Sequence, residues 1–83
     1  MYKLLISRKA KRELKKLSKA YQKAIISVFE EIKEDPFTGK ALTRELTGRF
    51  SFRVGFFRII YKVNRHDKTV QIITAGHRST IYN

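Results

Sequence analysis

The sequence predicts a two-layer α+β single domain spanning residues 1–83, with an N-terminal strand and a helical hairpin packed on a twisted antiparallel sheet. Three observations predict it. Apolar residues recur three and four apart in the first half of the chain and alternate in the second. The alternating segments follow one another with short turns between them, the pattern of an antiparallel meander. A chain of 83 residues without repeat, Gly/Ser linker or low-complexity stretch leaves room for one domain only. Ten aromatics, six Phe and four Tyr, supply bulky core material, so the chain folds despite its charge.

Residues 2–6 read as a short strand. Ser7 can cap a helix whose inward positions are Ala10, Leu14 and Leu17. Its other face carries Arg8, Lys9, Lys11, Arg12, Lys15 and Lys16, an intensely basic outside. Ser18 can cap a second helix with the stripe Tyr21, Ala24, Ile25, Val28, Phe29 and Ile32. Asp35-Pro36 ends it, because proline disfavours helical geometry in the residue before it. So short a connection makes the two helices an antiparallel hairpin.

After the loop from Phe37 to Lys40 the period changes. Phe50, Phe52 and Val54 point one way, and Arg49, Ser51 and Arg53 the other. Gly55 permits a sharp reversal. Phe57, Ile59, Tyr61 and Val63 then alternate with Arg58, Ile60 and Lys62. Asn64 to Lys68 is a polar turn, in which His66 is a solvated side chain. Thr69 to Ala75 is the last strand, with Gly76-His77-Arg78 directly after it. Arg53 and Arg58 are placed near opposite ends of a hairpin, and the basic groups of these strands converge on one concave surface.

Nineteen Lys and Arg against seven acids give a net charge of +12. That excess attracts polyanions, so nucleic acid is the first partner class, an acidic protein the second and an anionic membrane the third. With no cysteine, disulfides and thiolate zinc sites are excluded. Two histidines in different contexts, without paired carboxylates, make no metal constellation, and no cofactor is expected. The apolar run Leu4-Leu5-Ile6 is too short for a signal peptide or membrane span, which points to the cytoplasm.

Four ordered segments carry a resemblance. Leu46-Thr47-Gly48, then Phe52-Arg53-Val54-Gly55-Phe56-Phe57-Arg58-Ile59-Ile60-Tyr61, then Ala75-Gly76-His77-Arg78 and finally Ile81-Tyr82 resemble the pattern of the RelE/ParE toxins. The preceding strand and helices keep the same order, so the likeness covers the whole chain. It implies a microbial-RNase-like fold and a toxin–antitoxin role in which an acidic cognate antitoxin neutralises the toxin. RelE-type members cut mRNA in the ribosomal A site. The resemblance puts the catalytic arginines on Arg58 and Arg78, the basic residue of the middle strand on Arg53 and the C-terminal tyrosine on Tyr82. His77 stands where several mRNA-cleaving relatives carry a basic or histidine side chain. Two departures stand out. Ser51 and Arg53 replace a pair of strand lysines, which bears on catalytic strength. Phe56 replaces a small or acidic turn residue, a change confined to the turn.

Metal-independent RNA cleavage through the 2′-hydroxyl needs a base for the hydroxyl proton, positive charge on the phosphorane and an acid for the departing 5′-oxygen. Arg53, Arg58 and Arg78 supply charge in forks that match phosphate oxygens. Arginine does not deprotonate in proteins. Proton transfer therefore falls to His77, as acid or base, and to Tyr82, as orienting or proton-transfer residue. Arg49 and Arg53, with Lys11 and Lys15 of the first helix, are assigned to RNA contact. The rival readings are a ParE-type DNA gyrase inhibitor without nuclease chemistry and a basic nucleic-acid-binding module. In either toxin reading the antitoxin lands on the exposed sheet edge or the hairpin's outer stripe.

Overall fold

The computed structural model describes residues 1–41 and 48–77, the last of these by its backbone alone. In chain order the elements are β1 (Lys3–Ile6), α1 (Arg8–Lys15), α2 (Lys19–Glu34), a 3-10 turn (Pro36–Thr38), β2 (Lys40–Ala41), β3 (Arg49–Val54), β4 (Phe57–Asn64) and β5 (Thr69–His77). Two helices pack on one five-stranded sheet of order β1-β5-β4-β3-β2.

Both serines cap their helices. Ser7 Oγ accepts from the Ala10 amide and Ser18 Oγ from that of Tyr21. Gln22 Nε2 donates to the carbonyls of Leu14 and Leu17, at 2.8 and 3.1 Å, and so closes the end of α1 that the turn leaves open. The buried stripe of α2 is narrower than its sequence suggests. Ile25, Phe29 and Ile32 are buried and Val28 is half-buried, whereas Ala24 and Tyr21 remain exposed. Tyr21 instead spreads its ring against Phe57, centroid to centroid at 4.6 Å.

The sheet is mixed rather than wholly antiparallel. The meander of β3, β4 and β5 forms as its short turns require, and β2 adds antiparallel to β3. β1 joins β5 in parallel, with Lys3 opposite Thr69 and Ile6 opposite Ile72. Hairpin turns dictate antiparallel pairing only between the strands they connect, and β1 reaches the sheet through two helices that leave its direction free. The two-residue β2 is too short to show any alternation in sequence. Ile60 faces Thr74 and Tyr61 faces Ile72, so Ile73 is the extra residue of a bulge. Its carbonyl accepts from Ser7 Oγ at 2.7 Å, and one serine thereby caps α1 and ties it to β5.

The core lies between helices and sheet. It joins Ala10, Ile25, Phe29 and Ile32 to Ile59, Tyr61, Val70, Ile72 and Ala75. Tyr61 is wholly buried and its hydroxyl is used twice, donating to the Pro36 carbonyl at 2.7 Å and accepting from the Gly39 amide at 3.2 Å. The loop leading into β2 is therefore anchored on β4. Burial pushes the Tyr61 phenol above its ordinary value near 10. The folded state thus favours the neutral phenol. Its contribution is complete below about pH 10 and is lost as pH climbs from there towards the folded value. Tyr61→Phe, which leaves the Pro36 carbonyl and Gly39 amide without this partner, should cost about 1–3 kcal/mol at neutral pH. That deficit should shrink above about pH 10 in paired urea titrations of the two proteins.

Candidate functional site

The β3–β4 hairpin is closed by Gly55 and Phe56, with Val54 directly opposite Phe57. Gly55 has φ +60° and Phe56 a negative φ, the combination of a type II′ turn, which matches the twist of the flanking strands. The pair flanking a two-residue turn is hydrogen-bonded, so the next pair along, Arg53 and Arg58, is not. Side chains stand closer in such a pair, with Cβ atoms about 4.5–5.5 Å apart. The two arginines are cross-strand neighbours beside the turn rather than near opposite ends of the hairpin. Arg53 is exposed and Arg58 half-buried.

Alternation fixes which face they share. Val54, Phe57, Ile59 and Tyr61 belong to the helix-covered face, so Arg53 and Arg58 stand on the other. The same face carries Ser51 opposite Ile60, and Arg49 opposite Lys62 about 13 Å along the strand. Across from Arg58 on β5 the row continues into Gly76, which adds no side chain, and Thr74 lies next to Ile60. Ser51, Ile60 and Thr74 are buried, with 7 %, 4 % and 6 % exposure, so the basic positions flank a closed floor.

The sequence-assigned residues divide accordingly. Arg53 and Arg58 come together, Arg49 lies on their face, and the backbone of His77 closes β5 opposite Phe57, one residue beyond the Arg58 row. Lys11 and Lys15 are exposed on a separate element, α1, which runs along β5. Arg78 and Tyr82 lie outside the described residues, as do Leu46-Thr47 and Ile81.

One residue of this region has no mark in the local pattern. Glu13, the single acid of α1, accepts through Oε1 from the Thr74 hydroxyl at 2.6 Å and from the Ala75 amide at 3.1 Å. Beyond Ile72 the edge of β5 is no longer paired with β1, and the Glu13 carboxylate takes up an amide there. It thereby steadies the strand that leads into Gly76 and His77. An acid alone among the five bases of α1 was the available signal.

The arrangement can hold a phosphate. Two arginines in adjacent cross-strand positions present forked donors that match phosphate oxygens. Among the described residues no group of His, Asp and Glu is placed to hold a metal ion. No helix among them is long and apolar enough to cross a membrane.

Comparison with known proteins adds three findings. Residues 4–82 match the family described as the ParE toxin of type II toxin–antitoxin system, parDE. Toxin RelG of Mycobacterium tuberculosis is 37 % identical over 75 residues, covering 88 % of this chain and 86 % of that protein. The fold superposes on a chain of the RelBE2 toxin–antitoxin complex of M. tuberculosis with a TM-score of 0.85 and 34 % identity, over 93 % of this chain and 98 % of that one. The isolated RelE toxin of E. coli shares the fold at a TM-score of 0.81 and 22 % identity, over 99 % of this chain and 92 % of that one.

Proposed function

The chain belongs to the RelE/ParE superfamily of type II toxins, and from that premise we propose that it is a cytoplasmic, ribosome-dependent mRNA endonuclease held inactive by a cognate antitoxin. The observation that carries the reading is the direct pairing of Arg53 with Arg58, in a row that runs on to Gly76 and, in sequence, to His77-Arg78.

The chemistry proposed is transesterification. The 2′-oxygen attacks the neighbouring phosphorus, the bond to the 5′-oxygen breaks, and a 2′,3′-cyclic phosphate and a free 5′-hydroxyl result. Arg53 and Arg58 hold the non-bridging oxygens and offset the charge of the phosphorane, a task for which Arg78 is the third group. His77 takes or returns a proton near neutral pH, and Tyr82 orients or shares that transfer. Arg49, Lys11 and Lys15 contact phosphates of the bound RNA. With so sparse a set of acid–base groups, the ribosome supplies the positioning of the message.

An antitoxin partner accords with the toxin–antitoxin complexes among the structural relatives, and a charge of +12 calls for an acidic one. The match to the ParE family keeps one rival in view, inhibition of DNA gyrase by protein contact. Induced expression without antitoxin separates the two. Under the proposal, amino-acid incorporation collapses within minutes while the supercoiling of a reporter plasmid is unchanged. Loss of supercoiling ahead of any fall in protein synthesis would favour the gyrase reading instead.

A further inference from the structure

Phe56 sits at the tip of the β3–β4 hairpin with 70 % of its surface exposed, more than any other described large apolar residue except Met1. A turn asks for glycine, asparagine or aspartate, and neither turn geometry nor the core calls for an aromatic ring there. The ring is nonetheless well supported. Its neighbour Phe57 packs edge-on against Tyr21 of α2, and Val54 opposite Phe57 closes the turn. The hairpin tip is thus fastened to the helical layer, and Phe56 projects from a fixed base rather than from a loose loop. Arg58 lies two residues away, about 7 Å of extended chain, with Arg53 beside it.

An exposed aromatic next to paired guanidinium groups is the combination that binds single-stranded nucleic acid, the cations holding phosphate and the ring offering a face to an unpaired base. We propose that Phe56 is a stacking platform for one base of the RNA, adjoining the phosphate held by Arg53 and Arg58. The proposal rests on the RNA reading of the arginine pair but not on cleavage. Stacking tolerates any base, so Phe56 contributes affinity and positioning more than base identity.

The test uses the purified full chain and short single-stranded RNAs carrying 2-aminopurine at successive positions, whose fluorescence falls on stacking. One position is expected to be quenched by the wild-type protein, with Phe56→Tyr retaining the quench. Phe56→Ala and Phe56→Leu should lose it and weaken binding about tenfold. Thermal unfolding of these variants should match wild type, since the ring is mostly in solvent. Equal quenching by wild type and Phe56→Ala, or no quenching by wild type, would overturn the proposal. So would retention by Phe56→Leu, which keeps an apolar surface without a π face. If Phe56→Ala keeps the quench but loses affinity for an acidic antitoxin, the residue belongs to the protein contact and the proposal fails. A chain that shows the Phe56-dependent quench yet cuts no message on ribosomes contradicts the nuclease reading alone.

Discussion

Arg58→Ala is expected to slow cleavage of ribosome-bound message by about 100-fold or more, the usual consequence of removing one preorganised donor from a developing oxyanion. The fold should survive. Arg58 is half-buried and stands outside the helix-covered core, so its removal gives up polar contacts and packing of the aliphatic stem without opening the core. The loss of stability should be about 1–2 kcal/mol. Arg58→Lys should fall between the two, because a lysine keeps the charge and loses the fork. The exposed Arg53, replaced by alanine, should lose less rate than Arg58. Single-turnover rates beside urea midpoints for the four proteins check the ordering. A rate for Arg58→Ala within a factor of three of wild type would remove Arg58 from the centre.

Gly39→Ala should cost about 3 kcal/mol, or roughly 10–20 °C in Tm for a domain of this size. Gly39 has an ordinary φ of −74°, so the requirement is space and not backbone conformation. An added Cβ would lie 2.3 Å from the Tyr61 hydroxyl and 2.8 Å from the Ser51 carbonyl. Neither neighbour can yield cheaply. Tyr61 is wholly buried and hydrogen-bonded, and the Ser51 carbonyl belongs to the backbone of β3. In the double variant with Tyr61→Phe the hydroxyl clash goes and the carbonyl clash stays, so only part of the loss should return. Calorimetry of the single and double variants settles it, and a loss under about 1 kcal/mol for Gly39→Ala would mean that the loop moves aside freely.

The sequence made legible what local pattern encodes. The change of period placed the helices and the meander, and Ser7 and Ser18 marked the helix starts because a cap acts on the next turn. The Arg53–Arg58 pairing was within reach, since a two-residue turn at Gly55-Phe56 fixes the register by counting. What was not legible depends on partners far away in the chain. The parallel addition of β1 to β5, the hydrogen bond from Ser7 to the Ile73 carbonyl and the use of Glu13 by Thr74 and Ala75 each join residues more than sixty positions apart. No spacing rule reaches that far. The same holds for Tyr61, whose inward position follows from alternation but whose two hydrogen bonds do not.

Primer extension on a translated message with purified ribosomes, with and without the chain, bears most directly on the nuclease reading. New 3′ ends inside A-site codons, carrying a cyclic phosphate and absent when either ribosomes or Arg58 is removed, are the outcome the arginine pair predicts. An uncut message in the presence of ribosomes, from protein that still arrests growth, would contradict it.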